Sequence, residues 1–143
     1  MYNVETPNIL IVDDRQENLL AMESALEDLD CQIFMANSGQ EALRLVLKHD
    51  FALVLLDVQM PEMDGFEVAR LIHGKKQTKD VQIIFITAIS KEQQYIEKGY
   101  EMGALNYLFK PIDPDDLKNK VNVALQWSRY HKKVQAAEDR KKP

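Results

Sequence analysis

The sequence has little of what marks secreted, fibrous or membrane-spanning chains. It contains a single cysteine, Cys31. An internal disulfide is therefore excluded, and a reducing compartment fits. Cys31 reads as a small hydrophobe at the start of a strand rather than as a reactive thiol. Glycine and proline number five each, and no Gly/Ser-rich linker, low-complexity block or sequence repeat occurs. The longest apolar stretch, Phe51 to Leu56, is too short to cross a bilayer. The opening Met-Tyr-Asn-Val-Glu-Thr-Pro lacks the basic-then-apolar pattern of a signal peptide. A cytoplasmic location and no membrane contact are expected. The net charge is −5, and the basic residues are dispersed until the C-terminal tail. With no basic stripe, direct nucleic-acid binding is not expected.

What is present suits one globular core. The chain has 143 residues, 45 % hydrophobic and 29 % charged, an ordinary balance for a single domain. Two kinds of segment alternate. Short apolar runs at Ile9–Val12, Gln32–Ala36, Ala52–Leu56, Gln82–Ile86 and Leu105–Phe109 predict strands. Between them, apolar residues recur at helical spacing: Leu19, Met22, Leu26 and Leu29; Ala42, Leu43, Val46 and Leu47; Phe66, Ala69 and Leu71–Ile72; Tyr95, Ile96, Gly99 and Met102; Leu117, Val121, Ala124 and Leu125. Capping boxes at Ser38–Glu41 and Ser90–Gln93 support these starts. So do Asp64 and the run Asp113-Pro114-Asp-Asp. The pattern is (βα)5, an α/β domain. Strands 1, 3 and 4 are almost continuously apolar, which predicts a parallel sheet, doubly wound with helices on both faces.

In such sheets ligands bind outside the carboxyl ends of the strands. Strand 1 ends in Asp13-Asp14, strand 3 in Asp57, strand 4 in Thr87-Ala88 and strand 5 in Lys110-Pro111. Carboxylates gathered on one rim repel; at ~4 Å and an effective dielectric of ~20 each pair costs about 4 kcal/mol. Lys110 supplies one compensating charge, and the excess points to a divalent metal. Oxygen ligands without clustered His or Cys favour Mg²⁺, with Mn²⁺ as the alternative, over Zn²⁺. His49, His73 and His131 lie on separate helices or helix ends and read as solvated surface residues. A carboxylate beside a metal, an ammonium and a hydroxyl suits phosphoryl transfer, with the carboxylate attacking phosphorus to give an acyl phosphate.

Each residue also has a local reading. Asp14-x-x-Glu17 fits a capping box, so Asp14 could simply cap the first helix. Asp13 could be a loop acid, Thr87 a strand residue and Lys110 a solvated cation. Asp57 differs, because it ends a run of buried apolar residues, where an ionised group is costly unless partnered. Coincidence at one rim favours the joint reading.

From about Asn8 to Trp127 the sequence resembles the receiver domains of two-component response regulators. The resemblance rests on Ile-Val-Asp13-Asp14, Leu-Leu-Asp57-Val-Gln-Met60-Pro61-x-Met63-Asp64-Gly65, Thr87-Ala88 and Tyr107-Leu-Phe-Lys110-Pro111. It implies a flavodoxin-like fold with strand order 2-1-3-4-5. It also implies that Asp57 takes a phosphoryl group from a sensor histidine kinase or phosphotransfer protein. Asp13, Asp14, Asp57 and the carbonyl of Gln59 would hold Mg²⁺. Lys110 would pair with the phosphoryl group, Thr87 would hydrogen-bond it, and Tyr107 would be the aromatic switch. Lys110-Pro111 would be cis. The readout surface, roughly Ser90–Trp127, would span the fourth helix, fifth strand and fifth helix. Gln59 and Ile89 would influence how long the phosphoryl group persists. The chain would be a signalling phosphoacceptor rather than an enzyme, with self-phosphorylation from small donors and self-dephosphorylation as side activities.

Two rivals fit less well. A haloacid-dehalogenase-like phosphatase needs a second acid two residues after its nucleophile, where Gln59 stands. A flavin binder needs a phosphate-cradling loop after strand 1, which Asp13-Asp14-Arg15 would oppose. The receiver domain is assigned residues 1–127. Residues 128–143 form a helical extension, and the helical spacing continues into it after Leu125, with Trp127, Tyr130, Val134 and Ala137 spaced three, four and three. That spacing fits either a coiled coil leading to an output domain or a frayed helix end with basic residues. No output domain is recognised. The chain either acts by binding partners, a second copy among them, or belongs to something longer.

Overall fold

The computed structural model describes residues 6–88 and 106–141. The fourth predicted helix, with its Ser90–Gln93 capping box, and Ile89 lie outside the described residues. The elements are β1 (Asn8–Val12), α1 (Gln16–Ala25), β2 (Gln32–Ala36), α2 (Gly39–Lys48), β3 (Leu53–Asp57), α3 (Gly65–His73), β4 (Gln82–Ala88), β5 (Asn106–Lys110) and a C-terminal helix (Pro114–Lys141). The strands pair in parallel as one five-stranded sheet, in the order β2-β1-β3-β4-β5.

β1, β3 and β4 read as almost continuously apolar because both of their faces are covered. Alternate residues feed two cores. Leu10, Val12, Val54, Leu56, Ile83 and Phe85 pack with Ala42, Val46, Phe66 and Ile72 of α2 and α3. Ile9, Ile11, Leu53, Leu55, Ile84 and Ile86 pack with Leu19 and Met22 of α1 and with Leu117 and Val121 of the C-terminal helix. Gln82 ties that helix to the sheet: its side-chain amide donates to the carbonyls of Ala52 (3.2 Å) and Ala124 (2.8 Å).

Helix starts follow the local chemistry. Ser38 Oγ accepts from the Glu41 N–H at 3.1 Å, and Asp64 caps α3 by accepting from the Glu67 N–H at 2.9 Å. The Glu41 carboxylate accepts from the Asn37 N–H (3.2 Å), one residue upstream of the expected reciprocal partner. Asp113 accepts from the Asp115 N–H at 2.9 Å. Asp14 does not cap α1. The N-cap position is Arg15, without a side-chain cap bond, which removes the local explanation for Asp14.

Other departures have physical reasons. Leu47 keeps helical spacing but lies on the solvent side of α2. His73 is not merely solvated, because its ring Nε2 lies 2.8 Å from the Val81 carbonyl oxygen. Strands β3, β4 and β5 run one or two residues beyond their apolar cores, because Asp57, Thr87 and Lys110 still have ladder partners. Among the described residues, no helix is long and apolar enough to cross a membrane.

Candidate functional site

Register brings the first two carboxylates together. Val12 is paired with Leu56 across β1 and β3, so Asp13 and Asp57 are the next residues on neighbouring strands, about 4.8 Å apart in strand spacing. Side chains alternate with period two. Asp13 therefore continues the face of Ile9 and Ile11, Asp57 that of Leu53 and Leu55, and Lys110 that of Leu108. Lys110 reaches across the sheet end, and its Nζ lies 3.4 Å from Oδ2 of both Asp13 and Asp57.

Asp13 is fully buried and Asp57 is 2 % exposed, so each needs partners. Asp13 has them: Oδ1 accepts from the Arg15 N–H at 2.9 Å, and the Asn18 side-chain amide lies 3.3 and 3.2 Å from its two oxygens. Asp57 Oδ1 accepts from the Gln59 N–H at 3.3 Å. These donors do not fully compensate Asp57. Burial, and then the negative charge of Asp13, push its pKa up to about 6, while Lys110 and the Gln59 N–H pull the other way.

Asp14 completes the group. One ligand oxygen from each of Asp13, Asp14 and Asp57 lies within 4.8 Å of the others, with Asp14 exposed to solvent. Asp13, Asp14 and Asp57 are thus close enough that the three carboxylates could hold one small divalent cation together. The donor set, all hard oxygen with one open side, fits a small divalent cation.

Thr87 and Tyr107 fall on the opposite parity from Asp57. Tyr107 is paired with Phe85, and Thr87 with Phe109. Tyr107 is buried, its ring 5.6 Å from Phe85 and 6.2 Å from Phe109 between centroids. The Thr87 hydroxyl donates to the Ala88 carbonyl oxygen at 3.4 Å and makes no bond to Asp57. The structure thus gathers Asp13, Asp14, Asp57 and Lys110, with the Gln59 backbone beside them. Thr87 and Tyr107 lie next to the group rather than inside it. The Lys110-Pro111 bond is cis, as the resemblance implies.

Sequence reasoning missed Asn18. Its only signal is its place, five residues after Asp13, where the first turn of α1 carries it back over the rim. Gly65 was read only as part of a motif. A Cβ there would collide with the Asp57 carbonyl oxygen and come within 2.9 Å of the Val58 Cα. The Gly65 N–H also donates to the Val58 carbonyl at 2.9 Å. The start of α3 is thereby pressed against the strand end that carries Asp57.

Comparison with known proteins agrees with this geometry. The family described as "Response regulator receiver domain" matches residues 9–122. A Vibrio cholerae protein named "Probable cyclic di-GMP phosphodiesterase" is 37 % identical over 129 residues, covering 90 % of this chain and 29 % of its own length. The Staphylococcus aureus "Transcriptional regulatory protein SrrA" is 38 % identical over 118 residues, covering 82 % of this chain and 47 % of its own. The chain thus spans less than half the length of these relatives. Among solved structures, a CheY-like receiver domain protein from Methanospirillum hungatei matches with a TM-score of 0.81 at 26 % identity, covering 89 % of this chain and 99 % of that one. The chemotaxis protein CheY4 of Vibrio cholerae matches with a TM-score of 0.78 at 27 % identity, covering 83 % and 98 %. Fold, rim chemistry and sequence agree: the chain belongs to the response regulator receiver domain family of two-component signalling.

Proposed function

We propose that Asp57 is the phosphoacceptor of this receiver domain, taking its phosphoryl group from a phosphohistidine on a sensor kinase or phosphotransfer protein. The observation that carries the reading is a buried carboxylate at a strand end, 3.4 Å from an ammonium and within 4.8 Å of two further carboxylates. An Asp57 oxygen forms the new O–P bond as the P–N bond breaks, and the bonding electrons return to the donor's imidazole. Lys110 stands beside Asp57 to face the charge of the arriving group. Asp13, Asp14, Asp57 and the Gln59 carbonyl would hold Mg²⁺, which when bound offsets negative charge on the transferred group. Asn18 and the Arg15 N–H keep Asp13 oriented, a role that needs no metal.

Phosphorylation then acts as a switch. The added charge gains partners where Thr87 can donate to it, and Tyr107, on the same face as Thr87, would follow. That shifts a two-state equilibrium toward a readout surface that would include β5, the C-terminal helix and the segment predicted from sequence as the fourth helix. Residues 1–127 make up the receiver, and from residue 128 the last helix runs on to Lys141, toward an output domain or partner. The setting is the cytoplasm, consistent with a lone cysteine. Exposure to Mg²⁺ and a small acyl-phosphate donor, followed by intact mass measurement, tests the acceptor chemistry. One added phosphoryl group is expected in the wild type, none in Asp57→Ala, and none with chelator. An unmodified wild type, with a cognate kinase also failing to label it, would refute the reading.

A further inference from the structure

Arg15 does not suit the place it holds by any local rule. It is the N-cap of α1, in extended backbone, and its side chain makes no cap bond. Ser, Thr, Asn or Asp there would satisfy a free N–H of the first turn. A cation at this end of a helix is also opposed by the macrodipole. Packing does not account for the choice either, because the side chain is 70 % exposed. Residues that break local rules without a structural compensation are expected where function requires them.

What Arg15 does touch is the acidic rim. Its backbone N–H donates to Asp13 Oδ1 at 2.9 Å, and it directly follows Asp14, the exposed member of the carboxylate group. Its guanidinium is paired with Glu17, Nε to Oε1 at 3.8 Å, with the two side chains 70 % and 72 % exposed. So long and exposed a pair is weak and readily exchanged. Lys110 approaches Asp57 and Asp13 from β5. Asp57 itself is buried, so a phosphoryl group arriving there has to stand on the open side of the rim. A guanidinium offers a planar fork of donors that matches phosphate oxygens two at a time. We infer that Arg15 is a second cationic partner of the phosphoryl group: its guanidinium leaves Glu17 and forks onto the outer oxygens of the group as it arrives at Asp57. Glu17 is then the competitor that holds the guanidinium aside while no phosphoryl group is present. This role presumes Asp57 as the acceptor.

Initial rates of labelling by acetyl phosphate with Mg²⁺, read by intact mass on the full chain, test it. Arg15→Ala is expected to slow labelling about tenfold, as for one lost charge-assisted hydrogen bond. Arg15→Ser, which supplies an N-cap, should be slowed alike while its melting temperature rises, so lost stability cannot explain the lost rate. Both variants keep the N–H that Asp13 accepts, and Mg²⁺ affinity should fall in neither. Glu17→Gln should label faster than the wild type, and that gain should vanish in the Arg15→Ala background. Arg15→Ala and Arg15→Ser that label at the wild-type rate would overturn the role of Arg15 and leave the Asp57 reading intact. So would a Glu17→Gln gain that survives without Arg15, which would be an effect of net charge alone. A wild type that takes no label, from acetyl phosphate or from a cognate kinase, would instead overturn the Asp57 reading and this role with it.

Discussion

Gly65 and Asp57 are in backbone contact: the first residue of α3 leaves no room for a Cβ beside the Asp57 carbonyl oxygen. Because that oxygen belongs to the main chain of the sheet, no rotamer change can relieve the clash. Gly65→Ala is expected to cost about 2–4 kcal/mol of stability. The strand end would move, so phosphorylation from a small donor should slow as well. Denaturant unfolding of the two proteins checks the first expectation and a labelling time course the second.

The raised pKa of Asp57 makes the acceptor carboxylate a source of instability. Between pH about 4 and about 6 the unfolded chain has released this proton while the folded chain still holds it. Stability of the metal-free protein therefore falls as pH rises through that window and stays lower above it. Asp57→Asn, which cannot ionise, should be the more stable protein at pH 7.5, by up to about 3 kcal/mol. The difference should close near pH 4. Unfolding curves at the two pH values, with chelator present, decide it.

Lys110 opposes that shift. Without its ammonium, 3.4 Å from both Asp13 and Asp57, two buried carboxylates face each other with no cation between them. In Lys110→Ala the Asp57 pKa should rise above about 6, and stability at neutral pH should fall by about 1–3 kcal/mol. A carboxyl-carbon NMR titration reads the pKa directly.

Divalent cation should relieve the same repulsion. Mg²⁺ is expected to raise the melting temperature of the wild type. Asp14→Asn should leave metal-free stability near the wild-type value, because Asp14 is exposed and caps no helix. It should nevertheless weaken Mg²⁺ binding by about tenfold or more. Calorimetric titration, paired with a melting curve in chelator, separates the two effects.

Asn18 is the supporting residue that the sequence did not advertise. Its amide contacts both oxygens of a fully buried carboxylate. Asn18→Leu should therefore cost about 1–3 kcal/mol, although position 18 looks like an ordinary helix residue. Urea unfolding measures it.

All five strands and the rim they share were legible in the sequence: β1, β3 and β4 as the apolar runs of covered parallel strands, β2 and β5 as shorter, more mixed apolar runs between helical segments. The ends were read short. Hydrophobic runs stop at Leu56, Ile86 and Phe109, whereas ladder pairing carries the strands on to Asp57, Ala88 and Lys110. Residues joined by long-range contact left weaker traces. Asn18 serves Asp13 through the fold of one loop, and His73 reaches the Val81 carbonyl, neither of which has a periodic signature. Helical spacing likewise cannot tell which of Val46 and Leu47 faces the core. The stripe from Trp127 to Ala137 was visible as spacing. Only the structure shows that Trp127, Tyr130 and Val134 are exposed.

The central claim is that Asp57, among three neighbouring carboxylates, takes the phosphoryl group. Borohydride reduces an acyl phosphate and turns the modified aspartate into homoserine, so peptide mass spectrometry after phosphorylation reads the position. The account predicts homoserine at position 57 and intact aspartate at positions 13 and 14. Homoserine at position 13 or 14, or at no position in a protein that has gained a phosphoryl group, would contradict it.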